Sequence, residues 1–140
     1  MRIIFCAWLL VSLPALLIAQ EKDKWKRIYT FEDAKVEMNV SNVTFGLGED
    51  ARVHFRWTLA EPANVTQKSG TKYKSRVEVI EFVCMERRYR LVEVMLYDAK
   101  GNLILTDDAA GEWKYLKAGS MMARLFGPAC SLINEKQRKT

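Results

Sequence analysis

Residues 73–97 constrain the fold of this chain more than any other stretch. Val77, Val79, Ile80, Phe82 and Val83 lead into Cys84, and Tyr89, Leu91, Val92, Val94, Met95, Leu96 and Tyr97 follow a short polar corner. Such density of β-branched and aromatic residues, with no glycine or proline inside, favours two extended strands meeting at a tight turn over any helix. Ile80, Phe82 and Cys84 alternate onto one face, whereas Val77 and Val79 are out of step with them, so the spacing predicts a β-bulge near Val79-Ile80.

The sequence also carries a helix near its end. Met122, Leu125, Phe126, Ala129, Cys130 and Ile133 recur at steps of three and four behind Ser120, a favourable N-cap, and this is the periodicity of a helix with one buried stripe. Pro128 points away from that stripe, so it bends the helix without ending it. Residues 134–140 read as a polar tail. Cys130 lies within the stripe and Cys84 on the Ile80-Phe82 face, and this shared burial pairs the two as a disulfide. Closing a loop of about 45 residues would stabilise the fold by roughly 4 kcal/mol on the chain-entropy account. Two buried free thiols are the alternative.

The start of the chain sets the compartment. Arg2 precedes an apolar run over residues 3–18, which ends at Ala19-Gln20 before Glu21-Lys22-Asp23-Lys24. This is the layout of a secretory signal peptide at residues 1–19, cut after Ala19; left uncut, it would anchor the chain in a membrane. Cys6 falls inside that segment with no lipobox around it, so the protein is not expected to be a lipoprotein. Two cysteines then remain in an oxidising compartment, the number that pairs with nothing left over. Export to the periplasm or cell envelope follows as the expectation.

Between the leader and the hairpin the pattern is that of more strands. Residues 25–31 and 35–45 alternate, the second with a slip of phase near Ser41-Asn42, and residues 46–50 form a turn. The cleanest alternation covers residues 51–60, with Val53, Phe55, Trp57 and Leu59 on one face and Arg52, His54, Arg56 and Thr58 on the other. A long polar connection is expected over residues 61–70. Residues 97–102 give a turn with Gly101 at its left-handed position, and Leu103, Ile104 and Leu105 give a short last strand. The expected fold class is therefore α+β: an antiparallel sheet of about six strands in one domain over residues 20–133, with the C-terminal helix packed across one face and tied to it by a disulfide.

Composition excludes more than it assigns. Removal of the leader leaves 21 basic and 17 acidic residues, a net charge of +4, with no run of like charge long enough for a nucleic-acid arm. His54 is the only histidine, so neither a zinc triad nor a nucleophile pair can be assembled around it, and no catalytic residue, metal site or cofactor is expected. Asp107, Asp108 and Glu112 match no calcium loop and read as solvated acids. The strip Arg52, His54 and Arg56, extended by Lys72, Lys74 and Arg76, is the candidate binding surface, suited to an acidic glycan or protein. Asn39, Asn42 and Asn64 each begin an Asn-Val-Ser/Thr triplet, which would matter only in a host that glycosylates.

Trp25, the Glu81-Phe82-Val83-Cys84 run, Arg87-Arg88-Tyr89-Arg90, Tyr97-Asp98-Ala99-Lys100-Gly101, Trp113, Gly119-Ser120 and Ala129-Cys130 resemble the surface-adhesin protein E domain of bacterial envelope proteins. The resemblance runs from Trp25 to Cys130. It implies a six-stranded antiparallel sheet with a C-terminal helix tied across one face by a disulfide, and a non-catalytic binding or adhesion role. The adhesin that gives the family its name is an outer-membrane lipoprotein that binds host matrix and plasma proteins and is also described as binding haem as a dimer. By analogy the chain would be a monomer or homodimer with a protein or acidic glycan ligand. A small-molecule, haem-type carrier with His54 as its imidazole is the second reading, and a structural periplasmic domain the third. Contact with a membrane is expected only through the leader, if that is retained. The chain departs from the named adhesin in having no lipid-bearing cysteine after its leader.

Overall fold

A computed structural model describes residues 22–108 and 110–140. The expected signal segment lies outside the described residues. Among those described, no helix is long and apolar enough to cross a membrane.

Among the described residues, seven strands and one helix follow in the order β1 (Trp25–Thr30), β2 (Ala34–Phe45), β3 (Ala51–Asn64), β4 (Lys72–Val83), β5 (Arg88–Tyr97), β6 (Leu103–Asp107), β7 (Lys114–Tyr115) and α1 (Met121–Arg138). All strands join one antiparallel sheet in the order β1-β2-β3-β4-β5-β6, each paired with its predecessor, while β7 pairs with the outer end of β5. The α+β reading holds, including the helix across one face and the Cys84–Cys130 disulfide.

The alternation in β3 explains the layering. Val53, Phe55 and Trp57 lie within the core with Val36 and Met38 from β2 and Ile80 and Phe82 from β4. Leu125, Phe126, Ala129, Leu132 and Ile133 of α1 close over them, and Phe82 meets both Phe55 and Phe126 edge to face at 6.1 and 5.6 Å. Ser120 caps the helix by accepting a hydrogen bond from the Ala123 N–H at 3.3 Å. Pro128 is accommodated within the continuous helix. The helix runs to Arg138, so most of the residues read as a tail form its last turns.

The central hairpin carries the expected irregularity at Val79/Ile80, but the extra residue belongs to β5: Val79 faces Glu93 and Ile80 faces Leu91, leaving Val92 unmatched. The β3–β4 ladder runs through this point without a break. Val77 and Val79 were out of step with Ile80 because they point to the opposite face of an unbroken strand. The slip near Ser41-Asn42 is also present, as a register shift between Met38 and Val43.

The expected connection over residues 61–70 needs correction. β3 continues to Asn64, so the connection to β4 is shorter than residues 61–70. Pro62 is tolerated there because the ladder is already interrupted between Thr58 and Ala63, where a missing N–H breaks no bond. β7, a two-residue strand, is too short to show any alternation in the sequence. Its neighbour Gly111 donates to the Leu91 carbonyl at 2.7 Å, and a Cβ on Gly111 would lie 3.2 Å from that oxygen.

Candidate functional site

The sheet face turned away from α1 carries the polar half of the alternation. Register fixes its membership: Arg27 opposite Glu37, Lys35 opposite Thr58, Arg56 opposite Glu37 and Val77, His54 opposite Val79, and Arg52 opposite Glu81. On β5 the same face continues through Met95, Glu93, Arg90 and Arg88, opposite Val77, Val79, Glu81 and Val83. Val77 and Val79 are 8% and 4% exposed although α1 lies on the opposite face; register sets Val77 between Arg56 and Met95, and Val79 between His54 and Glu93, longer side chains that can shield a valine from either side.

Glu81 is the electrostatic centre of this face. Its side chain is only 3% exposed, and its two oxygens are divided between two guanidiniums: Arg52 Nε donates to Oε2 at 2.8 Å, and Arg90 Nη2 donates to Oε1 at 3.0 Å. A buried carboxylate is tolerable only with this degree of pairing, and two partners leave it overcompensated by one positive charge. Arg90 and Arg88 both lie over the Trp113 ring, at 4.6 and 4.7 Å, and Arg88 also reaches Glu86 at 2.7 Å. At the other edge Arg56 donates to Glu37 at 2.8 Å and lies 4.4 Å over Trp25. With guanidiniums already against them, both indole rings brace arginines.

Beside Arg56 the β2 irregularity is folded around Asn39, which is 2% exposed. Its Oδ1 accepts from the Ser41 N–H, the Ser41 hydroxyl and the Asn42 N–H, and its Nδ2 donates to Asp23. This asparagine is therefore structural, and its amide is committed. Of the other two triplets, Asn42 and Asn64 are exposed.

His54 is half-buried, and its Nδ1 is buried with no hydrogen-bond partner. Burial lowers its pKa below the usual histidine value, opposed by the carboxylates of Glu93 and Asp23 and by a backbone hydrogen bond at Asn42. The imidazole is accordingly neutral at pH 7. Its surroundings do not fit a haem. Its sheet neighbours are Val79, Arg52 and Arg56, with Glu93 beyond, and this is a flat charged surface, whereas a macrocycle needs an apolar slot.

The structure separates the six candidate basic residues. Arg52, His54 and Arg56 stand together on the helix-free face. Arg76 lies on the other face, opposite Trp57 and Leu96, 5.0 Å over the Trp57 ring and paired with Glu78 at 2.9 Å. Burial raises the Glu78 pKa, against the pull of Arg76 and the Trp57 indole. Lys74 donates to the Ala60 carbonyl at 2.6 Å, and Lys72 pairs with Asn64 beyond the β3 interruption. Arg27, Lys35, Arg88 and Arg90 take their place on the helix-free face. Extending the β3 alternation across its neighbours, in which Glu81 must face Arg52 and the Arg88-x-Arg90 spacing puts both arginines on one side, is the signal that finds them.

Across this face the described residues place Arg27, Lys35, Arg52, Arg56, Arg88 and Arg90 against Glu37, Glu81 and Glu93 on the strands, with Asp23 on Asn39 and Glu86 on Arg88 at its margins. On the other side of the sheet, α1 and β1–β2 border a groove of about 480 Å³ with Ile28, Met38 and Leu132 in its wall and Lys24, Lys26 and Lys136 around it. Among the described residues, no cluster of three or more histidine, cysteine or acidic side chains is placed to hold a metal ion.

The profile of the surface-adhesin protein E family matches residues 25–131, from the first strand to the turn of α1 that carries Cys130. No curated protein and no solved structure gives a significant match. The matched segment takes in the whole sheet and the disulfide, and the chain belongs to the surface-adhesin protein E family.

Proposed function

We propose that this protein is an exported, non-catalytic binding module of the bacterial envelope, free of a lipid anchor, that presents its helix-free sheet face to an acidic ligand. The observation that carries the reading is the set of six cationic side chains on that face, against three carboxylates on the strands and two more, Asp23 and Glu86, at its margins, laid out on a sheet side over which no described element lies. Family membership and the disulfide support an adhesion-type role outside the cytoplasm. Arg52, Arg56 and Arg90 are held by Glu81, Glu37 and Trp113, so their positions are fixed before a ligand arrives and little side-chain entropy is lost on binding. Acidic protein segments and sulfated or carboxylated glycans are the ligand chemistry this arrangement fits.

Retention on immobilised heparin tests the reading, with heparin as a defined polyanion. The protein should elute later than a neutral control of the same size. Arg27→Glu with Lys35→Glu should elute at distinctly lower salt than Lys68→Glu with Lys100→Glu, which makes the same change of charge in loops away from the face. Elution no later than the neutral control, or equal shifts for the two double variants, would rule out a face-specific site.

A further inference from the structure

Large apolar side chains are left exposed chiefly at one end of the sheet. A single row of the ladder runs Phe45, Ala51, Phe82, Tyr89, Lys114 across β2, β3, β4, β5 and β7. Just beyond it stand the β2–β3 turn with Leu47, 111% exposed, and the β4–β5 turn with Met85, 86% exposed. Tyr115, 72% exposed, follows on β7, and Phe45, 39% exposed, closes the row on the other side. Neighbouring hairpins put the two tips about 10 Å apart, given the spacing of strands in a sheet.

We infer that this end of the sheet is a membrane-contact site, at which Leu47 and Met85 enter the acyl region of an anionic lipid leaflet. Three features favour lipid over a protein partner. First, the apolar groups project singly from turns, and the row beneath them is closed, Ala51 and Phe82 being fully buried. Protrusions without a hollow between them suit a fluid that flows around each side chain, whereas a protein partner needs a continuous complementary patch. Second, unpaired cations stand around the tips: Arg87 in one turn, Lys114 on β7 and Lys117 just after it are exposed and make no ion pair among the described residues, whereas of the acids there Glu86, beside Met85, is paired with Arg88 at 2.7 Å, and Glu49 and Asp50 follow Leu47 in its turn. Basic residues around an apolar tip favour headgroups of negative charge, and Tyr115 offers the amphipathic ring that settles at headgroup depth.

Third, the tips are rigid. The Gly46 N–H donates to the Asp50 carbonyl at 2.9 Å across the first turn. The Glu86 and Arg87 N–H groups donate to the Val83 and Cys84 carbonyls at 3.2 Å across the second. The Leu116 N–H donates to the Arg87 carbonyl at 2.8 Å, and Cys84 is bonded to Cys130 of α1, so Met85 sits directly on the covalent tie. Little order remains to be gained on insertion. Contact through this end would stand the sheet on the membrane and leave its polar face open from the side.

Cosedimentation of the oxidised, full-length exported protein with large vesicles tests the inference. One set contains phosphatidylglycerol and phosphatidylethanolamine, the other phosphatidylcholine and phosphatidylethanolamine only. Binding is expected on the anionic set. Leu47→Ser and Met85→Ser should each lower the partition coefficient about tenfold, and the pair about a hundredfold, as expected for removing one apolar side chain at a time from the acyl region. Arg87→Glu with Lys114→Glu should remove the preference for anionic vesicles. Both tips lie outside the core, so the melting temperature should not change. Failure of the parent protein to sediment with anionic vesicles overturns the inference. So does unchanged binding by the double serine variant, or a double variant that loses self-association and keeps its vesicle binding.

Discussion

Replacing both Cys84 and Cys130 with alanine removes the tie between the central hairpin and α1 and leaves every other contact in place. The bond closes 46 residues of chain, and at that length the loss of loop entropy in the unfolded state corresponds to about 4 kcal/mol at 25 °C. The described domain has an unfolding entropy near 0.25 kcal/mol/K by the usual per-residue average, so the melting temperature should drop by about 16 °C. Urea unfolding followed by far-UV circular dichroism gives both quantities needed. The midpoint should fall, and the slope should hold or rise, because an unfolded chain released from a 46-residue loop exposes more surface. The folded variant should keep its near-UV signal, since Leu125, Phe126, Ala129, Leu132 and Ile133 still bury the helix face without the bond. A loss of under about 1 kcal/mol with an unchanged slope would refute this reasoning: the unfolded chain would then be held compact by something other than the bond.

Glu81→Gln keeps the shape of the buried side chain but leaves Arg52 and Arg90 facing a neutral group. Chemical denaturation should show a loss of about 2–4 kcal/mol, much of it relieved when Arg90→Met is added, because the second change removes an unpaired cation. Asn39→Ala strands the Ser41 and Asn42 N–H groups and should cost about 2 kcal/mol, with amide exchange rising first over residues 39–42. The folded state holds the His54 pKa below its ordinary 6.5, so the unfolded chain binds the extra proton first as pH falls. Stability is then complete above pH 6.5 and declines below it, and His54→Gln should flatten that part of a melting-temperature profile measured from pH 5 to 7.5.

The sheet was legible in the sequence because side-chain alternation records burial directly. Val53, Phe55 and Trp57 against Arg52, His54 and Arg56 could be assigned to two faces without a structure, as could the stripe from Leu125 to Ile133. Cys84 and Cys130 were legible because each lies within one of these apolar patterns. Register was less accessible. It requires knowing which residues on neighbouring strands stand side by side, and without that Arg76, one step out of phase with Arg56, falls in with the residues it turns away from. Glu81 reads as a polar interruption of an apolar strand until Arg52 and Arg90 are set beside it. Met85 and Leu47 carry no pattern at all. Their significance comes from two turns far apart in sequence lying at the same end of the sheet.

The simple strand order has a consequence for how the molecule is made. Every strand from β1 to β6 pairs with the one before it. A polypeptide threaded through a translocation pore from its amino end could zip up one hairpin at a time, with no early segment kept waiting for a distant partner. The helix is last to emerge and finds its seat already built, so oxidation of the two thiols would seal a finished assembly.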